Sequence, residues 1–403
     1  MKNTDKEQIE AYYKIEFDID DYIESRRLYP LIKWAGGKEK ELKYIIPNLP
    51  KKFVDYYEPF VGGGAVYTGI YNINQANNYY INDKSEELIC LYLSITNGDR
   101  QVFFKILDEI VHNWALLTTV IQKYKKFFIQ TYKEYSTDKI DYNKLKNILF
   151  EFILAHSDRF NVMFFSIFNF NIENFIKEIE LNFIRKMKRM KYLEKTKNNL
   201  TDNDILDNIE TALKSAFYMH IRHIYNNTKK YKIDNALKSA MFLFIRNFAY
   251  SGMFRYNTKG EFNVPYGGIA YNRKNFRKKV DYLRTKELEV LLNRTTIESL
   301  DFEVFFKNHQ PTKNDFVFLD PPYDSEFSTY AKNEFTKADQ KRLANYLIKE
   351  CKAKWMMIIK NTNFIFNLYN NKGLNIQSFD KTYLVSFMNR NDKKAEHLLI
   401  ANY

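Results

Sequence analysis

Cysteine is nearly absent from this chain. Of 403 residues only Cys90 and Cys351 are cysteines, too few and too far apart for a disulfide framework, a zinc ribbon or an iron–sulfur site. Glycine and proline are also scarce, at 12 and 8 residues. No apolar run approaches the roughly 20 residues needed to span a bilayer. The opening Met1-Lys2-Asn3-Thr4-Asp5-Lys6-Glu7 is charged and lacks the apolar core of a secretion signal, so a cytoplasmic protein is expected. Acidic residues are outnumbered, 49 Asp and Glu against 62 Lys and Arg, for a formal net charge of +13. That excess favours a polyanionic partner, nucleic acid being the commonest, although low-GC genomes enrich Lys, Asn, Ile and Tyr whatever the function. Hydrophobic residues at 45% and aromatics at 17% exclude a disordered chain and suffice for one large domain or two ordinary ones.

The few glycines and prolines are unevenly placed. They cluster at Gly36-Gly37, Pro47 to Pro50, Pro59 to Gly69, Gly252 to Gly268 and Pro321-Pro322, and none occurs between Gln101 and Met241. The bare stretch predicts long helices, because nothing in it forces a turn or breaks the hydrogen-bond ladder. The flanking blocks read as α/β units. Strands are predicted at Phe53–Glu58, Tyr79–Asp83, Asp315–Leu319, Trp355–Ile359 and Glu396–Tyr403. The resulting layout is an appended arm over 1–28, a catalytic α/β domain from 29–100 and 296–403, and a helical insertion with a recognition region over 101–295.

Three motifs carry chemistry. Tyr57-Glu58-Pro59-Phe60-Val61-Gly62-Gly63-Gly64 places glycines directly after a strand, where a backbone can approach a ligand and present N–H groups. Asp83 ends the next strand, where a carboxylate accepts hydrogen bonds from ribose hydroxyls. The dinucleotide pattern is broken, since Tyr67 stands at the third glycine position, and a glycine turn with a helix-capping Asp remains the alternative. Asp320-Pro321-Pro322-Tyr323 follows an apolar strand. It gathers a carboxylate, rigid backbone with free carbonyls, and an aromatic face, a set suited to a planar base bearing an exocyclic amine. Its alternative is a strand-ending turn with a buried tyrosine. Lys33-Trp34-Ala35-Gly36-Gly37-Lys38 sets lysines beside a glycine turn, an arrangement that can take a carboxylate or phosphate.

In this order the motifs resemble those of the Dam-like, alpha-group DNA adenine-N6 methyltransferases. A further block, Asn247 to Asn257 followed by Gly260 to Gly267, is similar to the family's target-recognition stretch and precedes the Asp-Pro-Pro-Tyr motif, as the alpha order requires. Phe335-Thr336 with Gln340, and Asn389-Arg390-Asn391 with Glu396-His397-Leu398-Leu399, resemble later family segments. The resemblance covers roughly 30–100 and 240–403. It implies a Rossmann-like S-adenosylmethionine-dependent methyltransferase sheet and methylation of an extruded adenine in double-stranded DNA. Asp320, Pro321, Pro322 and Tyr323 would hold the target base. Trp34, Lys38, Glu58, Phe60, Gly62, Gly64, Asp83, Asp301, Phe302 and Asp320 would hold S-adenosylmethionine, with no metal ligand in the set.

For DNA, the resemblance implies a guanine contact by Arg255, a wedge by Tyr250, thymine-methyl contacts by Met253 and Pro265, and supporting roles for Ser251 and Asn257. A phosphate contact is the alternative for Arg255. The expected target is GATC or a related site, with two departures from the GATC-specific pattern: Ser251 stands where those members usually carry Asn, and Asn247 where they usually carry a basic residue. The 256 residues from Gly64 to Asp320 exceed the spacing of compact members by about a hundred. The added stretch holds a basic run at Arg185, Lys186, Lys188, Arg189, Lys191, Lys195 and Lys197, read as a solvated helix face or a phosphate-backbone contact. Phe160 to Phe165 reads as core, and His220-Ile221-Arg222-His223 lacks partners at metal-ligand spacing. Rival readings are cytosine-N4 methylation, against which Asp320 argues, methylation of adenine in RNA, and a non-catalytic DNA-binding relic. A cognate restriction endonuclease is a possible partner.

Overall fold

A computed structural model describes residues 27–34, 36–73, 75–96, 99–156, 170–196, 199–323, 335–382 and 394–403. Almost all of the expected N-terminal arm, Ala35, the Phe160–Phe165 segment, Lys197 and Asn389-Arg390-Asn391 lie outside the described residues. The chain divides into two compact units, Met1–Thr96 with Tyr282–Tyr403, and Asn97–Asp281.

The first unit is built on a seven-stranded sheet: β1 (Tyr56–Glu58), β2 (Tyr79–Asn82), β3 (Thr295–Glu298), β4 (Phe316–Leu319), β5 (Lys354–Lys360), β6 (Asn375–Thr382) and β7 (Lys394–Ala401), in the order β3-β2-β1-β4-β5-β7-β6. This is the α/β sheet expected from the motifs. The first five strands run parallel, while β7 lies antiparallel between β5 and β6. Strands β1 and β4 are buried along their whole length, as strands covered on both faces must be. Their Tyr57, Val317 and Leu319 share one core cluster with Phe302, Phe305, Leu343, Trp355 and Ile365.

The strand order reverses between β1 and β4, which pair with Tyr56 opposite Phe316 and Tyr57 opposite Val317. In open sheets the crevice at such a reversal, beyond the carboxyl ends of the strands, is where ligands bind. The register brings the Glu58-Pro59 and Leu319-Asp320 ends side by side at that crevice. Two strands were not anticipated. Strand β3 reads Thr-Thr-Ile-Glu and β6 reads Asn-Ile-Gln-Ser-Phe-Asp-Lys-Thr. Both are sheet edges, where one flank needs no apolar cover and the hydrophobic signal is correspondingly weak.

The Asn97–Asp281 unit is helical, with helices Arg100–Lys123, Lys125–Ser136, Tyr142–Ala155, Ile172–Thr196, Asp202–Asn226 and Asn235–Phe248. Asp141, Thr201 and Asp234 start their helices by accepting bonds from backbone N–H groups, Thr201 in a reciprocal box with Asp204. The Asp202–Asn226 helix is central to the unit, packing on Arg100–Lys123, Ile172–Thr196 and Asn235–Phe248. Within it the buried Lys214 ammonium pairs with Glu210 at 2.6 Å and donates to the Asn272 carbonyl at 2.7 Å. That second bond ties the segment beyond the hairpin at 249–266 to the bundle.

Candidate active site and recognition hairpin

The site grows from the carboxyl ends of β1, β2 and β4. At the end of β1, Glu58 is buried and accepts a 2.6 Å hydrogen bond from the Tyr56 hydroxyl. Burial, reinforced by the nearby Asp320 charge, pushes its carboxyl well above the usual range, against the opposing effects of Tyr56 and Lys38. The following glycines turn the chain into the Ala65–Tyr71 helix. Gly63 is required because a Cβ there would lie 2.3 Å from the Ile32 carbonyl oxygen. Gly64, at φ +83°, adopts a left-handed cap that other residues resist. Trp34 lies against Gly62 and Gly63. The Lys33–Lys38 segment and the glycine turn therefore form one packed corner.

Just past β2, Asp83 accepts the Gly62 N–H at 3.0 Å through Oδ2 and the Ser85 N–H at 2.9 Å through Oδ1. Each oxygen keeps a further lone pair for a ligand donor. Burial, with the Asp320 charge adding to it, raises this carboxyl to about 6 despite the two backbone N–H bonds. Asn82 beside it braces the crevice, donating to the Pro59 and Leu300 carbonyls and accepting the Leu300 N–H.

Asp320 leaves β4 into the crevice, where the buried Lys38 ammonium meets its Oδ2 at 2.5 Å. The same ammonium donates to the Gly36 carbonyl at 2.9 Å and reaches the Tyr323 hydroxyl at 3.4 Å. The buried Gln340 amide donates to the Pro322 carbonyl at 2.7 Å. His397, fully buried on β7, lies 3.2 Å from the Tyr323 hydroxyl. The tetrapeptide is therefore held at the Asp320 carboxylate, the Pro322 carbonyl and the Tyr323 hydroxyl.

Asp301 caps the Phe302–Asn308 helix through the Glu303 N–H and receives the Arg342 guanidinium at 2.7 Å. Phe60, Phe302 and Phe335 meet with ring centroids 5.6–6.0 Å apart, and Arg342 covers Phe302 at 4.8 Å. Thus Lys38, Asp320 and Tyr323 are joined by hydrogen bonds, and Asp83, Gly62 and Trp34 by contacts, with the Gly37 N–H to Trp34 carbonyl bond linking the two sets; Glu58 and Gly64 flank them at the end of β1 and in the glycine turn. Phe60, Asp301 and Phe302 form the adjoining aromatic–carboxylate patch.

In the helical unit, residues 249–266 form a hairpin with bridges Ala249–Tyr266 and Tyr256–Phe262. Phe254, Phe262, Val264 and Tyr266 are buried beneath it, whereas Tyr250, Ser251, Arg255 and Pro265 are exposed and Met253 half-buried. Ser251 sits at φ +52°. Arg255 Nε donates to Asn263 Oδ1 at 2.8 Å. Asn257 differs from its neighbours, because its side chain builds the tip: it accepts the Lys259 and Glu261 N–H groups and donates to Glu261 Oε2 at 2.8 Å.

Comparison with known proteins places the chain in a family. The profile of the D12 class N6 adenine-specific DNA methyltransferases matches residues 34–207 and 163–385. The chain belongs to this family. It is an adenine-specific DNA methyltransferase, so it acts on DNA and needs a methyl donor. It is 26% identical over 377 residues to the Type II methyltransferase M.CviBI of Paramecium bursaria Chlorella virus NC1A, covering 93% of this chain and 99% of that protein. The Type II methyltransferase M.MjaIII of Methanocaldococcus jannaschii is also 26% identical, over 393 residues with the same shares. The DNA adenine methylase of Vibrio cholerae is 29% identical over 197 residues, 46% of this chain and 65% of that enzyme.

Among the described residues of this methyltransferase, no helix is long and apolar enough to cross a membrane. His223 bonds the Tyr231 hydroxyl and His220 lies against Asn174. Sequence reasoning assigned no role to His397, Arg342 or Asn263. His397 and Asn263 stand in segments that resemble the family, but nothing local marks what any of the three does, since each acts on a side chain between 8 and 74 positions away.

Proposed function

We propose that this methyltransferase transfers the methyl group of S-adenosylmethionine to N6 of an adenine extruded from double-stranded DNA, at GATC or a related short site. The observation that supports this reading is Asp320, held by Lys38 at the β1/β4 reversal beside Tyr323. The residues fit the cofactor. Asp83 retains lone pairs for ribose hydroxyls, the Phe60–Phe302 patch with Asp301 suits an adenine ring and its amine, and Lys38, committed to Asp320 and the Gly36 carbonyl, has for a cofactor carboxylate only the donor now 3.4 Å from the Tyr323 hydroxyl. When bound, S-adenosylmethionine supplies an electrophilic methyl group on a positively charged sulfur.

The chain's own groups do the rest. Adenine N6 is a weak nucleophile because its lone pair is delocalised into the ring. The Asp320 carboxylate and the Pro321 carbonyl accept its two N–H bonds, favouring a more tetrahedral nitrogen, and one of these protons is lost to solvent once N6 has gained the methyl group. Tyr323 stacks on the base and offsets part of the few kcal/mol lost on unstacking. Orientation and fixed electrostatics then carry the catalysis, with no covalent enzyme intermediate. The helical unit serves DNA recognition, with Arg255 reading a guanine, Tyr250 wedging into the stack, and Met253 and Pro265 on thymine methyls. The enzyme acts in the cytoplasm, and a cognate restriction endonuclease fits its likeness to Type II methyltransferases.

The test is transfer of tritiated methyl from S-adenosylmethionine to DNA from a methylation-deficient host, with N6-methyladenine mapped by single-molecule sequencing. One methylated motif is expected. Asp320→Ala should lower turnover at least a hundredfold while DNA binding persists; turnover near the wild-type rate would remove Asp320 from the role given to it.

A further inference from the structure

We infer that Asn263 is a positioning residue for base recognition, fixing the plane of the Arg255 guanidinium so that its outer edge reads one base pair. The inference rests on the reading of Arg255 as a base contact. Arginine has a long, flexible side chain, so its selectivity depends on what holds it before DNA arrives.

Both arms of the hairpin are fastened from below. Asn226 accepts the Phe262 N–H at 2.9 Å and donates to the Phe262 carbonyl at 3.0 Å. Tyr218 and Arg222 donate to the Val264 carbonyl at 3.0 and 2.9 Å. Asn263 therefore stands between two anchored, buried residues. On the facing arm, Phe254 is buried with the Arg246 guanidinium 4.2 Å from its ring centre. The Asn263 N–H also donates to the Arg255 carbonyl at 3.1 Å, which sets the two residues opposite each other.

On that base Asn263 Oδ1 takes the Arg255 Nε–H at 2.8 Å. A guanidinium is planar, so fixing Nε–H fixes the whole fork. The two terminal N–H groups then form the edge whose geometry matches the O6 and N7 acceptors of guanine. A phosphate contact tolerates many guanidinium orientations and gains little from such a clamp. The clamp is also neutral. The nearby Glu261 carboxylate is engaged by Asn257, so the amide holds Arg255 without bringing another negative charge toward DNA.

The experiment uses the full chain and its own mapped site. Values of kcat/KM are measured on duplexes carrying that site and on each single base-pair variant, for Asn263→Ala, Asn263→Asp, Arg255→Ala and the double alanine variant. Asn263→Ala should lower discrimination about tenfold at one base pair, the pair also affected by Arg255→Ala, and add nothing in the double variant. Asn263→Asp keeps the acceptor, so discrimination should survive while KM for DNA rises. A loss at a different base pair, or one that adds to that of Arg255→Ala, overturns the inference by making Asn263 a direct contact. Unchanged discrimination in Asn263→Ala overturns the inference alone. If Arg255→Ala weakens all sequences equally, the base-reading role of Arg255 fails first and the inference with it.

Discussion

Removing the Lys38 ammonium should expose how strongly it is coupled to Asp320. The two atoms lie 2.5 Å apart, and the side chains are 3% and 20% exposed. At an effective dielectric of about 20, unit charges at that distance attract by roughly 6–7 kcal/mol. Withdrawing both groups from water cancels much of this, and breaking a buried pair by deleting one partner typically costs about 3–5 kcal/mol. The partial exposure of Asp320 brings the expected coupling below that range, to about 2–3 kcal/mol. The assay is a double-mutant cycle of Lys38→Met and Asp320→Asn, with unfolding by urea followed by circular dichroism. Lys38→Met should be the most destabilised of the four proteins, because it leaves a carboxylate beside the buried Glu58 without its counter-charge. Adding Asp320→Asn should recover most of the loss. Effects that simply add, within about 0.5 kcal/mol, would show that the two groups contribute independently and would refute the clamp.

With Asp83 holding the cofactor ribose as proposed, binding of S-adenosylmethionine should weaken as the pH falls through about 6, where Asp83 takes up a proton; ribose hydroxyls would donate to the ionised carboxylate, so the affinity should fall by up to tenfold per pH unit below that point. Calorimetry from pH 5 to 8 would show it, and Asp83→Asn should bind weakly with a flat profile. Gly63→Ala would force a Cβ to within 2.3 Å of the Ile32 carbonyl, and a lowered melting temperature corresponding to about 1–3 kcal/mol is expected. Gln340→Leu removes the donor to the Pro322 carbonyl; kcat should drop about tenfold with little change in KM for the cofactor, and an unchanged kcat would mean the prolines hold themselves.

The sequence disclosed the centre of the sheet far better than its rim. Phe316–Leu319 and Trp355–Ile359 are continuous apolar runs because both faces are covered, and the acidic residues that follow strand ends mark the crevice by position alone. The edge strands β3 and β6 carry mixed polar residues and had no such signature. The long helical stretch was legible from the lack of glycine and proline, a negative signal that gives helices but not their packing. At the site, residues that would touch a ligand stand in compact motifs. Their supports do not: Gln340 was noticed only as part of a later segment, and His397 reaches Tyr323 from the far end of the chain. Such supports arise from tertiary proximity, which spacing in one dimension cannot report.

The placement of β1 and β2 before the helical unit, and of β3 and β4 after it, has a consequence for synthesis. Strand β2 ends at Asn82 and its neighbour β3 begins at Thr295. At roughly 5–20 residues per second on the ribosome, about 10–40 s pass before the first half of the sheet meets its partners. The intervening Asn97–Asp281 unit is rich in local helical contacts and can fold quickly in that interval. Once compact, it shortens the effective loop that must close to bring Phe316 alongside Tyr56. Until then the nascent chain carries two short tyrosine-rich strands whose edges are open to pairing with another chain.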